Sequence, residues 1–403
     1  MLSPAESAVL ARLDGQRAAM LAEIEAWAAI NTGSHNLAGL SRMADVLAHA
    51  FAPLGGRIAR VPAAPATRLA ADGREEAISH GDNLHIVCRP EAPVRVLLTG
   101  HMDTVFGADH PFQACRWLDG DTLNGPGVAD MKGGIAVLKA ALMAFEASPF
   151  AAGLGWEVVL NADEEVSSPG SAPLLEAAAR QCHLGLTYEP ALPDGTLAGG
   201  RAGSGNFSAA IHGRAAHAGR NPQDGRNAIL AAADLALRLA ALASDDLSVN
   251  PAKIEGGGPN NIVPDMAVLR WNMRPRHAQA QVRAEAGIRE AVAAVVQAHD
   301  VHIHLHGRFA RPPKPMDAHQ QRLFELVKGC GAELGLAIGW RDTGGVCDGN
   351  NIAATGLSVV DTLGPRGGSI HSADEFLCAD SLEERAKLSA LLLMRVAQRG
   401  WQR

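Results

Sequence analysis

Apolar positions change period along this chain. Over residues 5–30 they recur at helical spacing until Asn31-Thr32-Gly33-Ser34, and a second helical stretch over 41–54 runs out at Gly55-Gly56. Strand-like runs follow at 57–61, 83–88 and 94–99. A helix over 132–147 is carried by Ile135, Val137, Leu138, Ala141, Leu142 and Phe145. A β run at 156–161, a helix over 174–179 and a strand over 183–188 continue the alternation. Strands alternating with helices predict an α/β fold with a mostly parallel sheet flanked by helices.

The pattern changes after Gly199-Gly200. Residues 204–212 alternate (Phe207, Ala209, Ile211) as a half-buried strand does, and a helix spans about 226–243. Strands at 247–254 and 262–273, a helix over 278–299 and a strand over 301–309 follow, closed by Arg311-Pro312-Pro313. That order, β-α-β-β-α-β, is a ferredoxin-like α+β unit. The expected organisation is one domain made of 1–202 and 314–403, with 203–313 inserted into it. The chain ends in a helix over 381–398.

A length of 403 residues fits two or three domains, and 47% hydrophobic content can fill their cores. A net charge of −7 and the lack of a basic stripe leave no electrostatic basis for nucleic-acid or membrane-surface binding. The N-terminal Met1-Leu2-Ser3-Pro4-Ala5-Glu6 is unlike a secretory signal, and no apolar run approaches the length of a membrane span. The six cysteines lack CxxC spacing. They are expected to be reduced thiols in a cytoplasmic protein, which disfavours a cysteine-based zinc site.

Chemistry concentrates at strand ends. His101-Met102-Asp103 closes the run from Val94, and alternation puts His101 and Asp103 on one side. His101 can ligate a metal while Asp103 orients its ring, although such a triplet is common on its own. Asp130, before Met131-Lys132-Gly133-Gly134, reads either as a helix cap or as a carboxylate bridging two metals. Asp163-Glu164-Glu165 reads either as a solvated charge run or as a site where cations offset carboxylate repulsion. In the second case Glu165 binds metal and Glu164 is a general base toward a metal-acidified water. Glu189 follows another strand, and His371 lies in Gly367-Gly368-Ser369-Ile370-His371-Ser372. Two His and three carboxylates form a mixed N/O set suited to Zn²⁺, with Co²⁺ or Mn²⁺ also accommodated.

The ordered set HMD, GVADMKGG, DEE, the Glu before Pro190, HAG and the late Gly-rich His resembles the di-zinc aminoacylase/carboxypeptidase family, peptidase family M20. The pattern is most similar to the glutamate carboxypeptidase branch, and the resemblance covers essentially the whole chain. It implies two divalent metals, one held by His101 and Glu189 and the other by Glu165 and His371, with Asp130 bridging. It also implies a cis Asp130–Met131 bond. The inserted domain then acts as a lid through which a homodimer forms. His217, in Gly213-Arg214-Ala215-Ala216-His217-Ala218-Gly219, resembles a donor to the developing oxyanion that dimeric relatives supply from the partner's lid. Asn261 resembles a substrate-contacting residue, and Arg274 the guanidinium that grips the substrate carboxylate.

There are departures. Pro190-Ala191-Leu192-Pro193-Asp194-Gly195-Thr196 lacks the Lys of relatives that prefer a C-terminal Glu. Cys347 stands where relatives often have Ser or Thr, and reads as a lining residue. His302, His304 and His306 share a strand face but have no carboxylate partner in sequence; Lys132 reads as support for the helix start. The expected function is metal-dependent hydrolysis of an N-acyl amino acid or small peptide with a free carboxylate. Alternatives are an acetylornithine- or succinyl-diaminopimelate-type deacylase, a di- or tripeptidase, or a non-catalytic binding member of the fold. A phosphoesterase would need a cationic grip that the motifs do not supply beyond Arg274.

Overall fold

The computed structural model describes residues 1–402. Its largest sheet has six strands in the order Arg57–Val61, Asn83–Cys88, Gly155–Asn161, Arg95–His101, Leu184–Thr187, Val359–Val360. The last four run parallel to one another, and the first two join antiparallel at one edge. The parallel part is where the sequence is most apolar. Gly155–Asn161 is buried along its whole length, as a strand covered on both faces must be.

Strand alternation sorts the core into two layers. Val96 and Leu98 join Ile135, Leu138 and Phe145 of the helix Gly134–Glu146 and Leu392 of Ser381–Arg399. Leu97 faces the other way, toward Leu175 of Ala172–Gln181 and Ile352 of Asp348–Ala354. Successive side chains thus feed opposite faces, and helices close both.

A second sheet lies between Gly203 and Pro312. Its strands run in the order Leu247–Gly256, Met266–Pro275, Ser204–His212, His302–Arg311, all antiparallel. Helices Ala228–Ala240 and Ala278–His299 cover one face, giving the β-α-β-β-α-β order read from the sequence. The core there is separate: Phe207 stacks on Trp271 at 5.4 Å and meets Phe309 edge-on at 5.2 Å.

Three local features differ from the elements expected of the apolar pattern. The N-terminal helix is two helices, Pro4–Leu10 and Arg17–Ala28, parted near Gly15, whose φ of 76° a side chain resists. The next helix starts at Leu37, because the Asn36 side chain accepts the Gly39 N–H. A hairpin, Ala66–Leu69 with Glu75–Ile78, reaches onto the second sheet. There Arg270 donates to the Leu69 carbonyl at 2.8 Å, and Leu69 packs against Ala210 and Val268. Among the described residues no helix is long and apolar enough to cross a membrane.

Leu98, fully buried in the central strand, tests this layering. Leu98→Ala is expected to lower stability by about 2–5 kcal/mol in urea denaturation, whereas Leu305→Ala at the exposed face of the second sheet stays within about 0.5 kcal/mol. Equal losses would contradict the core assignment.

Candidate metal centre

Parallel strands end at a common edge, and this edge carries the site. His101 is the last residue of Arg95–His101. Asp163, Glu164 and Glu165 follow the neighbouring strand Gly155–Asn161, and Glu189 follows Leu184–Thr187 on the other side. Asp130 comes from a kinked turn, Val128–Gly133, in which the Asp130–Met131 bond is cis as expected. The buried Glu375 carboxylate accepts the N–H groups of Gly127, Ala129 and Asp130 at 3.0–3.1 Å and so shapes that turn. Nothing in the local sequence singles out Glu375, whose partners lie about 250 residues away. His371 arrives on the loop between Gly367–Gly368 and Phe376–Cys378.

Five donor side chains converge. His101 Nε2 lies 3.0 Å from Asp130 Oδ1 and 3.8 Å from Glu189 Oε2. His371 Nε2 lies 3.4 Å from Asp130 Oδ2 and 3.1 Å from Glu165 Oε2. Asp130 therefore turns one oxygen to each imidazole, dividing the cluster into two halves. Asp103 secures the first half, its carbonyl 3.0 Å and its Oδ1 3.4 Å from His101 Nδ1. The same carboxylate accepts the N–H groups of Glu164 and Glu165 at 3.1 and 3.2 Å and the Ser34 hydroxyl at 2.7 Å.

The electrostatics fit cations. Burial pushes Glu189 up to about 7, with Asp130 repelling it further, and pushes Glu165 up as well. Asp130 is held low: burial opposes this, but hydrogen bonds from His101 and His371 outweigh it. Hydrogen bonds to Asp130 and Glu165 hold His371 up at about 11. Among the described residues the group His101, Asp130 and Glu165 has donor atoms mutually close enough to hold an ion. His302, His304 and His306 form no such group. Instead His306 meets Thr67 of the hairpin at 3.1 Å, and His304 lies 3.7 Å from Glu75.

Glu164 is buried beside this cluster, and burial raises its pKa well above the usual carboxylate range. Arg311, expected only to close a strand, opposes that shift. Its Nη2 sits 2.7 Å from Glu164 Oε1 and donates to the Glu164 carbonyl and Ser168 Oγ at 2.8 and 3.0 Å. A cavity of about 860 Å³ opens from the cluster and is walled by Arg201, Arg274, Arg311 and Arg341. The cationic lining is thus richer than the motifs alone suggested. Arg274 donates to the Gly344 carbonyl at 3.0 Å and to Asn272 Oδ1 at 3.1 Å.

Cys347 lines the cavity as expected, but burial raises its thiol far above the ordinary value, which removes it as a nucleophile. Lys132 is buried and donates to the Ile30 carbonyl at 3.2 Å. His217 and Asn261 are not brought to the cavity within this chain. They sit together at an exposed two-stranded ribbon, Ala216–His217 paired with Ile262–Val263, where His217 Nδ1 accepts the Gly219 N–H and the Asn261 carbonyl accepts that of Ala218.

A carboxylate and imidazole cluster at the carboxyl edge of an α/β sheet, with a buried Glu beside it, defines the class: a metal-dependent hydrolase. Residues 97–395 match peptidase family M20/M25/M40, and the chain belongs to that family. It is 27% identical to carboxypeptidase G2 of Pseudomonas sp. over 385 residues, covering 94% of this chain and 89% of that one. It is 30% identical to a succinyl-diaminopimelate desuccinylase of Halorhodospira halophila, covering 70% of this chain and 78% of the other. The solved structure of a tripeptidase from Staphylococcus aureus superposes with a TM-score of 0.71 at 20% identity, over 95% of this chain and 99% of that one.

As ligands, Glu189 would have to be ionised and His371 neutral, whereas burial of the one and the hydrogen bonds of the other favour the protonated forms. Zinc titration of metal-free protein is therefore expected to release at least one proton at pH 7, with affinity falling as pH drops from about 7.5 to 5.5. Calorimetry in buffers of different ionisation heat checks this; uptake without proton release would contradict the ligand set.

Proposed function

We propose that the protein hydrolyses the amide bond of an N-acyl amino acid or small peptide that ends in a free carboxylate. The observation that carries this reading is the placing of Glu164, Arg274 and four of the donor side chains around one cavity, with His101 buried just behind Asp130 and Glu189. His101 and Glu189 would hold one divalent ion and Glu165 and His371 a second, with Asp130 lying between the two pairs; zinc suits this mixed set best. Bound there, the ions supply Lewis acidity that polarises the scissile carbonyl and acidifies a water.

The chain's own residues do the rest. Glu164 takes the proton of the attacking water and delivers it to the leaving nitrogen, for which a raised pKa is an advantage. Asp103 fixes the His101 ring and, through the backbone of Glu164 and Glu165, the placing of the base. Arg274 takes the substrate carboxylate with a planar, two-toothed grip. His217 and Asn261 act from the partner's lid, residues 203–313, in a homodimer: their exposure in this chain supports that reading. The free cysteines, none in a disulfide among the described residues, support a cytoplasmic setting.

The named relatives split between carboxypeptidase, desuccinylase and tripeptidase. A deacylase acting on a biosynthetic amino acid is thus the second reading, and a screen of hippuryl, acetyl, succinyl and dipeptide amides separates the two. A non-catalytic role is disfavoured by the intact Glu164 and donor set.

Glu164→Gln is expected to lower kcat by about 10²–10⁴-fold with metal content retained. Equal turnover by variant and wild type would remove Glu164 from the mechanism. The dimer reading is tested by mixing two weakly active variants, Glu164→Gln and His217→Ala. Activity should rise well above either alone, since mixed dimers hold one site with both residues intact; no rise places His217 in its own chain's site.

A further inference from the structure

The second sheet has one face without helices, and that face is shared between the cavity and the hairpin Ala66–Leu69, Glu75–Ile78. On Ser204–His212 and Met266–Pro275 the odd-numbered side chains enter the helix-covered core, so the even-numbered ones point the other way. At one end of the free face Ser204, Asn206, Asn272 and Arg274 line the cavity. At the other end Ala210, Val268 and Arg270 lie against the hairpin. The cross-strand pairs Asn206–Asn272 and Ser208–Arg270 follow one another on this face, so the hairpin begins where the cavity stops.

The hairpin is fastened at both ends. Its base joins the antiparallel strands Arg57–Val61 and Asn83–Cys88 at the edge of the first sheet. There the Ala64 N–H donates to the Gly170 carbonyl at 2.8 Å, and the Gly170 N–H donates to Asp163 Oδ2 at 2.6 Å, in the loop that carries Glu164 and Glu165. Its far end touches three strands of the second sheet. Leu69 is 1% exposed, packed on Ala210 and Val268. Arg270 donates to the Leu69 carbonyl at 2.8 Å and to Ser208 Oγ at 3.1 Å. At the turn a side-chain carbon on Gly73 would lie 2.1 Å from Met266 Cε, so only glycine lets the turn press so close. On the third strand His306 meets Thr67 at 3.1 Å, and the Thr67 hydroxyl donates to Glu75 at 2.6 Å. An apolar contact and a hydrogen bond from a guanidinium thus seat a loop that could otherwise have stayed in water.

We propose that the hairpin 66–78 is a spacer that fixes how far the second sheet stands from the metal centre, and thereby positions Arg274. Arg270 and Arg274 lie on one strand and one face, four residues or about 13 Å apart. A sheet held at Arg270 by a segment rooted beside the Glu164 loop has little freedom to tilt at Arg274. Leu69 and Arg270 are positioning residues in this account, since neither lines the cavity. The proposal rests on Arg274 as the holder of the substrate carboxylate.

The test uses three variants of the full chain: residues 66–78 replaced by a short Gly-Ser linker, Leu69→Asp, and Leu69→Met as the conservative control. Spin labels on unnatural side chains at the exposed positions Glu91 and Val282 report the distance between the two sheets without requiring activity. Wild type and Leu69→Met should give one narrow distance, and the other two a broadened or shifted one. Kinetics on benzoylglycyl-phenylalanine and its C-terminal amide give the second readout. For the linker variant and Leu69→Asp, KM for the acid should rise about tenfold or more with kcat kept within about twofold, while KM for the amide stays unmoved. A broad distance in wild type, or a narrow unchanged one without the hairpin, overturns the proposal. So does a changed distance with an unchanged KM for the acid, or a loss confined to kcat. Should the linker variant fail to fold, Leu69→Asp against Leu69→Met carries the same comparison. If no amide is cleaved by any form, the hydrolase reading fails, and the label distances still decide whether the hairpin sets the spacing.

Discussion

The Asp103 carboxylate is the interaction on which the site depends. It lies beside the His101 ring, accepts the backbone N–H groups of Glu164 and Glu165, and takes the Ser34 hydroxyl. It is fully buried, so each of these contacts compensates the loss of water. One side chain thereby sets the spacing between an imidazole from one strand and a carboxylate pair from the next. Parallel pairing brings the two strand ends to the same edge; Asp103 fixes how far apart their functional groups stand.

A second constraint is charge. Asp130, Glu164, Glu165 and Glu189 share a small volume, and burial makes their negative charge costly. Backbone N–H groups cannot offset this, because those nearest Asp130 already point at Glu375. The protein answers with guanidiniums on one side of Glu164 and with a donor set open to divalent cations on the other. The buried trio Arg201, Asp361 and Lys314 extends the pattern, with Lys314 2.7 Å from Asp361.

Much of this was legible in the sequence, for physical reasons that can be named. Period-2 and period-3.6 patterns report burial against a neighbour, so the strand and helix order around His101, Glu165 and Glu189 could be read, as could the β-α-β-β-α-β order. His101, Glu165 and Glu189 stood out as candidate donors because each follows a strand, whereas Asp130 and His371, on a kinked turn and a loop, were drawn in through the family resemblance. What could not be read were pairings between distant segments. Arg311 meets the backbone of Glu164 across 147 residues, and Arg201 meets Asp361 across 160. Nothing local to Arg311-Pro312-Pro313 marks a counter-ion. Glu375 was hidden for the same reason: its partners at 127–130 are about 250 residues away. The break near Gly15 was missed because apolar periodicity continues across it.

Arg311 is the last residue of the strand His302–Arg311, yet its charged end rests on Glu164 at the carboxyl edge of the other sheet. The two halves of the chain are consequently not interchangeable parts. An engineer who replaced the segment carrying the second sheet with that of a relative would also remove the cation facing the buried Glu164, and an uncompensated buried carboxylate is strongly destabilising. Any such graft would have to end before Arg311, one residue inside the strand that topology assigns to the second sheet, so the boundary drawn by backbone topology and the boundary drawn by electrostatics fall at different places.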